Sequence, residues 1–301
     1  MVFPYYKDRY SLQLLRYAVR DGAPVSGLKN SRCAPLLRRP KVNALLAELG
    51  NGRLTQLALN SADGDPGAAH YVLTLGLWGA EAGQQQQMSH QGVNLVLQLN
   101  FANDHDRAYR RYIKPADAER GPFEYLSHPI VRTGRKTLVW ARLDVDLENG
   151  EGLIEEIQSD WVRRARSVRE RAARATRCSR CGGKHGFHFY GVNGNADEVA
   201  EYYDRHFQTH AKLWDEAMLS ASLWLLRERF GIAQVYYHTP RSGTALKRIR
   251  YTAPPRSLYS DLPRRFCFQE MDAVPAMLQT DRRAKRCLRR VKELSMYHLA
   301  C

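Results

Sequence analysis

The 301-residue sequence lacks any apolar run long enough to span a bilayer, so we expect no membrane partner. Its first nine residues also lack the basic-then-apolar pattern that is typical of a secretory signal peptide. Only six cysteines are present and most lie far apart, which does not favour a disulfide framework. These absences predict a cytoplasmic protein with reduced thiols. Nothing in the sequence indicates an oligomeric state.

Hydrophobic residues make up 44% of the chain, which is typical of a folded globular protein. Alternating patterns predict strands that include residues 53–59, 70–78, 94–101 and a hairpin of residues 137–161 with its turn at 148–150. Helical patterns predict further elements, among them helices at residues 5–21 and from Ala245 onward.

This mixture predicts an α+β fold with a mixed, largely antiparallel central sheet flanked by helices. We expect residues 1–69 to form an N-terminal helical segment packed on the core. Residues 70–301 would then form the core domain, with a basic helix and a small zinc-knuckle-like insert at residues 161–194.

The most unusual stretch is residues 154–161, Ile-Glu-Glu-Ile-Gln-Ser-Asp-Trp. If it is a regular strand, one face carries Glu156, Gln158 and Asp160, and the other carries Glu155 and Ile157. The first face suits a general base, a substrate-orienting amide and a second carboxylate, or two oxygen ligands for a divalent cation. An ion-pair network with neighbouring arginines is the alternative. His128 lies in a loop before the hairpin and is a fourth candidate for the same site, unless it is a surface group.

A second strand repeats this polar pattern. Residues 94–101 alternate apolar side chains with Asn94, Gln98 and Asn100 on the opposite face. Amides hydrogen-bond without charge, so this face suits a small polar ligand or a nucleobase edge. The alternative is a sheet surface that faces water.

Four residues with metal-binding side chains lie within eleven positions: Cys178, Cys181, His185 and His188. Two thiolates and two imidazoles are a tetrahedral zinc set, and four protein ligands would make the zinc structural. The cysteines are the safest ligands, since a distant Cys or His can replace one of the closely spaced histidines.

A candidate phosphate-binding loop follows the strand predicted at residues 233–238. Ser242, Gly243 and Thr244 precede the expected helix, and backbone N–H groups at a helix start bind phosphate. Arg241, Lys247 and Arg248 would add positive charge. The P-loop spacing is absent, so an ordinary turn between strand and helix is the alternative.

The net charge of +15 is concentrated in two segments. Residues 161–184 contain nine basic residues and one acidic residue, and residues 281–293 contain seven and two. Such a field attracts polyanions such as nucleic acid. Two helices with solvated arginine-rich faces are the alternative.

Three stretches resemble an uncharacterised family of bacterial proteins and segments of large phage or mobile-element proteins. They are residues 94–101, residues 154–161 and Leu-Tyr-Ser-Asp-Leu-Pro-Arg-Arg-Phe at 258–266. The resemblance runs from residue 70 to the C-terminus, and residues 154–161 are its most specific signature. It implies no established activity.

A weaker resemblance is to GNAT-type acetyltransferases. The hairpin, a helix at 214–229, a strand at 233–238 and the segment 258–266 follow the order of that family. The resemblance implies binding of acetyl-CoA, whose pyrophosphate these enzymes hold with a Q/R-x-x-G-x-G/A loop after the hairpin. Residues 163–177 take that place here and contain no glycine.

Three functions are consistent with these patterns. The first is an enzyme with an acidic and amide-lined cleft that acts on a phosphate-bearing or nucleic-acid substrate. The second is a non-catalytic, zinc-containing nucleic-acid-binding protein. The third is a degenerate GNAT-like fold that serves as an interaction module. Acid and amide strand faces favour the enzyme.

Overall fold

A computed structural model describes residues 1–50, 52–81, 84, 87–117, 119–131, 134–177, 187–249, 254–291 and 293–300. Strands in this part of the chain form one large sheet and one small ribbon. In chain order the strands are β1 (Val2–Tyr5), β2 (Ala23–Pro24), β3 (Arg53–Leu54), β4 (Ala69–Trp78), β5 (Asn94–Phe101), β6 (Thr137–Asp146), β7 (Glu151–Gln158), β8 (Gln234–His238), β9 (Gln269–Met271) and β10 (Met296–Ala300).

The large sheet has eight strands in the order β1-β4-β5-β6-β7-β8-β10-β9. Every neighbouring pair is antiparallel except β7 and β8, which run parallel over four residue pairs. The predicted α+β class with a largely antiparallel sheet is therefore confirmed. The N-terminal segment contributes an edge strand, β1, to the same sheet.

The longest helices lie in the middle of the chain. The helices are α1 (Arg9–Val19), α2 (Val25–Lys29), α3 (Pro40–Glu48), α4 (Gln56–Ala62), α5 (Asn103–Tyr112), α6 (Asp160–Arg177), α7 (Ala196–Glu201), α8 (Gln208–Trp224), α9 (Pro240–Leu246), α10 (Leu262–Arg265), α11 (Ala276–Thr280) and α12 (Arg282–Leu288). Short π-helical segments lie at Tyr202–Phe207, Leu225–Arg229 and Ser257–Asp261, and a 3-10 helix lies at Ala34–Arg38. No helix of the described ranges combines the length and apolarity needed to cross a membrane.

The sheet separates two unequal hydrophobic cores. The larger core lies on the face covered by α1, α6 and α8, and it includes Ile154, Ile157 and Tyr237. A smaller core on the opposite face joins Leu153 and Tyr236 to α9, α11 and α12. The face of the sheet that carries the smaller core also carries buried polar side chains of β5, β6, β7 and β8.

A β-bulge in β7 changes which side chains share a face. Arg142 pairs with Glu156 and Leu143 pairs with Ile154, so Glu155 is an extra residue in the β7 strand. The bulge directs both Ile154 and Ile157 into the larger core. The Glu155 carboxylate contacts Ser89 and His238 instead, and the Glu156 carboxylate approaches Lys247. The predicted alternation, with Glu155 and Ile157 on one face, is therefore wrong.

Three local predictions are also wrong. Residues 53–59 form a strand only at Arg53–Leu54, because the Thr55 side chain accepts a hydrogen bond from the Ala58 N–H group and begins α4. The helix predicted from Ala245 begins at Pro240, five residues earlier in the chain. The first helix begins at Arg9, after Asp8 takes a left-handed conformation with φ of 63°. In contrast, Asn-Ala-Asp-Glu at residues 195–198 has the sequence pattern that predicts a capping box, and both hydrogen bonds of the box are present at the start of α7.

Candidate functional site

A cavity of about 490 Å³ lies beside the end of β7, and we call it the β7–α6 cavity. Its walls are residues 156–159 of β7 and the turn after it, the first two turns of α6, Trp214 of α8, and residues 254–259. The side chains of Arg163 and Arg166 line it on the α6 side. A volume of this size suits a small-molecule ligand.

Three of the predicted catalytic residues meet beside this cavity, and Gln158 is the one of the three that lines it. The His128 Nδ1 atom lies 2.6 Å from the Asp160 Oδ2 atom, and the Gln158 Nε2 atom lies 2.9 Å from Asp160 Oδ1. The Asp160 side chain is 3% exposed, whereas the His128 side chain is 30% exposed. Asp160 also accepts a hydrogen bond from Arg163 at 2.7 Å. A buried carboxylate thus holds a partly exposed imidazole in place.

The hydrogen bonds of His128 determine which ring nitrogen carries the proton. A carboxylate only accepts hydrogen bonds, so Nδ1 donates to Asp160. The Gln158 amide lies 3.1 Å from the same Nδ1, but it donates to Asp160 instead. No residue in the described ranges hydrogen-bonds to Nε2. A neutral His128 therefore has a free lone pair at Nε2, as a general base requires.

Glu156, the fourth predicted catalytic residue, lines the cavity, but its carboxylate contacts cations and not the His128–Asp160 pair. Its carboxylate contacts the guanidinium of Arg142 and lies 3.2 Å from the Lys247 ammonium. Burial raises the pKa of Glu156, but the charges of Lys247 and Arg142 outweigh burial and hold this pKa below its usual value. A carboxylate held in its charged form by two cations is a weak base. The ion-pair alternative therefore describes Glu156 better than the base role.

Tyr259 of the cavity wall and its partner Lys247 were not predicted as catalytic. The Lys247 Nζ atom is buried and donates to the Tyr259 hydroxyl at 3.1 Å. Burial lowers the pKa of Lys247 despite the nearby charge of Glu156. Burial and the charges of Glu156 and Glu155 raise the pKa of Tyr259 well above its usual value. Tyr259 therefore stays protonated, and it lines the cavity as a hydrogen-bond donor.

Charge in and around the cavity is positive on balance. Three carboxylates, those of Glu155, Glu156 and Asp160, lie near four cationic side chains: Arg142, Arg163, Arg166 and Lys247. Other arginines of α6 are engaged elsewhere, since Arg164 stacks over Tyr125 and Arg169 pairs with Asp204. The charge of this helix is thus less available to solvent than a uniformly solvated basic face would be.

A buried hydrogen-bonded cluster fastens the segment before β5 to the sheet. The Glu155 carboxylate accepts from the Ser89 N–H group at 2.6 Å and from the Ser89 hydroxyl at 2.5 Å. The His238 Nε2 atom lies 3.1 Å from the same carboxylate. All three residues are almost completely buried. Gln87, which lines the β7–α6 cavity, is held nearby through its carbonyl by Arg142.

The amide face predicted on β5 does not reach the cavity. Asn94 donates to Asp144 at 2.6 Å, and Gln98 donates to the Pro129 carbonyl at 2.9 Å. Asn100 donates to the Val72 carbonyl at 2.9 Å and accepts from Thr137. Because these amides are buried and bonded to the protein, they link strands and loops instead of contacting a ligand.

The predicted phosphate loop is the first part of α9. The Ser242 N–H group donates to the Thr239 side chain, and the Ser242 hydroxyl is buried against His238 and Thr239. A Cβ atom on Gly243 would lie 2.8 Å from the Tyr259 ring, so glycine is required for this close approach. Thr244 donates to the Pro240 carbonyl. None of the three lines the β7–α6 cavity, and the turn alternative describes them better.

Three of the four predicted zinc ligands, Cys178, Cys181 and His185, lie outside the described residues. The fourth, His188, is exposed. Among the residues that are described, no group of three or more His, Cys, Asp or Glu side chains is arranged to hold a metal ion. The zinc site stays a prediction from the sequence.

The sequence contains weak signals for three residues of this region that were not predicted as functional, Arg142, Asp144 and Tyr259. Arg142 and Asp144 interrupt an otherwise apolar stretch of β6, as Glu156 and Gln158 interrupt β7. Tyr259 lies in one of the stretches that carry the family resemblance.

Comparisons of the chain with protein-family models, with curated proteins and with solved structures gave no match.

Proposed function

We propose that this protein is an enzyme that binds a phosphate-bearing substrate in the β7–α6 cavity and performs acid–base catalysis on it. The observation that carries the proposal is the His128–Asp160 pair, with Gln158 and Arg163 joining the pair to the cavity wall. His128 is the general base, and Asp160 orients its ring. Tyr259 is a hydrogen-bond donor to the substrate, because Lys247 donates to its oxygen and leaves its own O–H free for a ligand.

The positive charge of the cavity supports a phosphate group as the part of the substrate that is bound. Arg163 and Arg166 lie on the first two turns of α6, whose N-terminal end also favours anions. Arg166 makes one hydrogen bond, to the Ala211 carbonyl, and no ion pair with any described residue. It is therefore the cation of this wall that is most available to a ligand.

Binding of phosphate compounds tests this part of the proposal. Pyrophosphate, ATP and coenzyme A are titrated into the protein by calorimetry, and at least one is expected to bind. Arg166→Ala is expected to weaken that binding about tenfold, the loss of one charge-assisted hydrogen bond. Arg174→Ala is the matched control, because Arg174 lies on the same helix, is 78% exposed and is absent from the cavity wall.

Equal losses for the two variants would contradict a specific phosphate site in this cavity. Such a result would instead support the polyanion-binding alternative, in which the charge of α6 acts as a whole. Binding of a long oligonucleotide with a steep salt dependence, unaffected by Arg166→Ala, would support the same alternative.

Acyl transfer from coenzyme A is a second candidate reaction, favoured by the position of the cavity. The parallel pairing of β7 and β8 ends at Ile154 and Tyr237, and the cavity lies beyond that point, beside the start of α6. In GNAT-type enzymes the loop after the corresponding hairpin holds the cofactor pyrophosphate. Here Arg163 and Arg166 would replace the missing glycine loop. Binding of coenzyme A in preference to ATP would support this candidate.

We also propose that Cys178 and Cys181, with His185 and His188 or a distant substitute, hold a structural zinc ion. The support is their spacing in the sequence. Elemental analysis of the purified protein is expected to give about one zinc ion per chain, and none for the Cys178→Ser, Cys181→Ser variant. A zinc-free native preparation would contradict the proposal.

A further inference from the structure

A second cavity, of about 530 Å³, lies between α5 and the helical segment of residues 205–210. We call it the histidine cavity, because His105, His206 and His210 line it. Its other lining residues include Arg107, Arg111 and Arg205. It shares no lining residue with the β7–α6 cavity.

His105, which lines this cavity, has a buried hydrogen-bonding atom without a partner in the described structure. Its side chain stacks on Phe101 with ring centroids 3.5 Å apart, and the residue is 6% exposed. The Nε2 atom lies 3.0 Å from the Tyr202 hydroxyl. The Nδ1 atom is buried and has no hydrogen-bond partner within the described part of the chain. A buried polar atom without a partner costs free energy, so its presence needs an explanation.

The bonds of Tyr202 show that this unused atom is a donor. The Trp161 Nε1–H group donates to the Tyr202 oxygen at 2.9 Å, because an indole nitrogen only donates. Tyr202 is fully buried, and the other partner of its hydroxyl is His105 Nε2. The Tyr202 O–H therefore donates to Nε2, which must be unprotonated. In a neutral His105 the proton is then on Nδ1, the atom without a partner.

His210, a half-buried residue, lines the same cavity and also hydrogen-bonds to a tyrosine. Its Nδ1 atom lies 3.0 Å from the hydroxyl of Tyr71, a fully buried residue for which the described structure offers no other acceptor. Tyr71 therefore donates to Nδ1, and the proton of a neutral His210 is on Nε2. The His105 and His210 rings are 5.3 Å apart, centroid to centroid. Two N–H donors without partners thus belong to adjacent rings.

Both imidazoles are neutral at physiological pH. Burial, together with the proximity of His210 and His206, lowers the pKa of His105 well below its ordinary value. Burial lowers the pKa of His210 to about 4. The two rings therefore act as neutral donors, and the positive charge at this cavity comes from its arginines.

The arginines at the rim of the cavity are available to a ligand. Arg107 makes no hydrogen bond or ion pair with any described residue, and Arg111 makes only a cation–π contact with Tyr112. Arg205 pairs with Glu201 but is 72% exposed. Asp104 is the one carboxylate among the lining residues. Three arginines thus line the same cavity as the two neutral imidazoles.

We propose that the histidine cavity is a second ligand site, separate from the β7–α6 cavity, and that it binds a phosphate group. The Nδ1–H of His105 and the Nε2–H of His210 donate to phosphate oxygens, and Arg107 and Arg111 neutralise its charge. A metal ion is a poorer candidate, since it would need the lone pairs of nitrogens that carry protons in this arrangement. No group of three His, Cys, Asp or Glu side chains in the described part of the chain is arranged to hold one. The phosphate belongs to a small molecule or to a nucleic-acid backbone.

Long-range ¹H–¹⁵N spectra of the histidine side chains test the site directly. In the free protein, we expect His105 in the Nδ1–H tautomer and His210 in the Nε2–H tautomer. Titration with inorganic phosphate should move both sets of signals with one saturable binding curve. The Nε2–H tautomer at His105, or signals that do not respond to phosphate, would overturn the proposal.

Matched variants on α5 test the contribution of charge. The double variant Arg107→Ala, Arg111→Ala is expected to weaken phosphate binding at least about tenfold. Arg110→Ala should leave it unchanged, because Arg110 is on the same helix, pairs with Asp106 and does not line the cavity. Equal effects of both variants would overturn the proposal. Arg166→Ala should not change phosphate binding to the histidine cavity. A failure of this proposal can therefore be distinguished from a failure of the proposal for the β7–α6 cavity.

Two competitors identify the source of the phosphate. Adenosine monophosphate that displaces inorganic phosphate, with little dependence on salt, supports a small-molecule ligand. A single-stranded oligonucleotide that displaces it with a steep salt dependence supports a nucleic-acid backbone. Displacement by neither would overturn the assignment of the cavity to biological phosphates.

Discussion

Replacement of Glu155 by glutamine is expected to destabilise the protein by about 3 kcal/mol or more, because it removes a buried charge with several partners. The carboxylate accepts both donors of Ser89 and contacts His238. Lys247 also donates to the Glu155 carbonyl, so its cationic charge lies close to the carboxylate. A neutral amide at this position cannot balance the nearby cations or accept all of these hydrogen bonds. Chemical denaturation of the two proteins measures the difference.

The control is Glu148→Gln, at the exposed turn between β6 and β7, which is expected to change the free energy of unfolding by less than about 0.5 kcal/mol. If Glu155→Gln were equally mild, Glu155 would not be a structural anchor. Its burial would then need another explanation, such as direct participation of the Ser89–Glu155–His238 cluster in chemistry.

The pH dependence of stability follows from the same contacts. Burial raises the pKa of Glu155, but its hydrogen bond to His238 and the charges of His238, Lys247 and Arg142 lower this pKa by a larger amount. The pKa of Glu155 in the folded state is therefore depressed. The stabilisation is therefore present above the unfolded-state pKa, about 4.3, and is lost as the pH falls below it. Loss of stability below this pH should be smaller in Glu155→Gln.

The elements that the sequence predicts best are those with local signals. The strand at Asn94–Phe101 and the first strand of the hairpin at Thr137–Asp146 match the prediction, since their alternating patterns reach both ends. The capping box at Asn195 is equally local. In contrast, the bulge at Glu155 depends on the partner strand, and no pattern in β7 alone reveals that two adjacent glutamates share a face.

The sequence predicts a group of polar residues near the end of β7 but not the contacts that set the environment of each one. Gln158 and Asp160 stand out in the sequence as polar side chains of a predicted internal strand, although Asp160 is the first residue of α6. His128 was predicted near them only from its position in the chain. Glu156 looked equivalent to Asp160, yet its partners are cations from β6 and from the end of α9. Distant residues set these environments. For the same reason, the unused N–H donors of His105 and His210 could not be predicted from the sequence. They are identified only through the hydrogen bonds of Tyr202 and Tyr71.

Asp160→Asn is expected to reduce turnover about 10²- to 10⁴-fold with any substrate that the β7–α6 cavity processes. An asparagine at this position can donate its amide to His128 Nδ1, which would move the imidazole proton to Nε2 and remove the lone pair that acts as base. Substrate affinity should change much less, because Arg166 and Tyr259 remain. The measurement compares kcat and KM of the variant and the native protein for a phosphate compound that binds the cavity.

The matched control is Asp204→Asn, which removes an exposed carboxylate paired with Arg169 of the same helix and should leave kcat unchanged. His128→Gln should reproduce the loss seen in Asp160→Asn, and the double variant should lose little more, since the two residues act as one unit. Additive losses would contradict a base oriented by Asp160. Full turnover in Asp160→Asn would assign the pair a structural role, and the search for the general base would move to the other polar residues of the cavity wall.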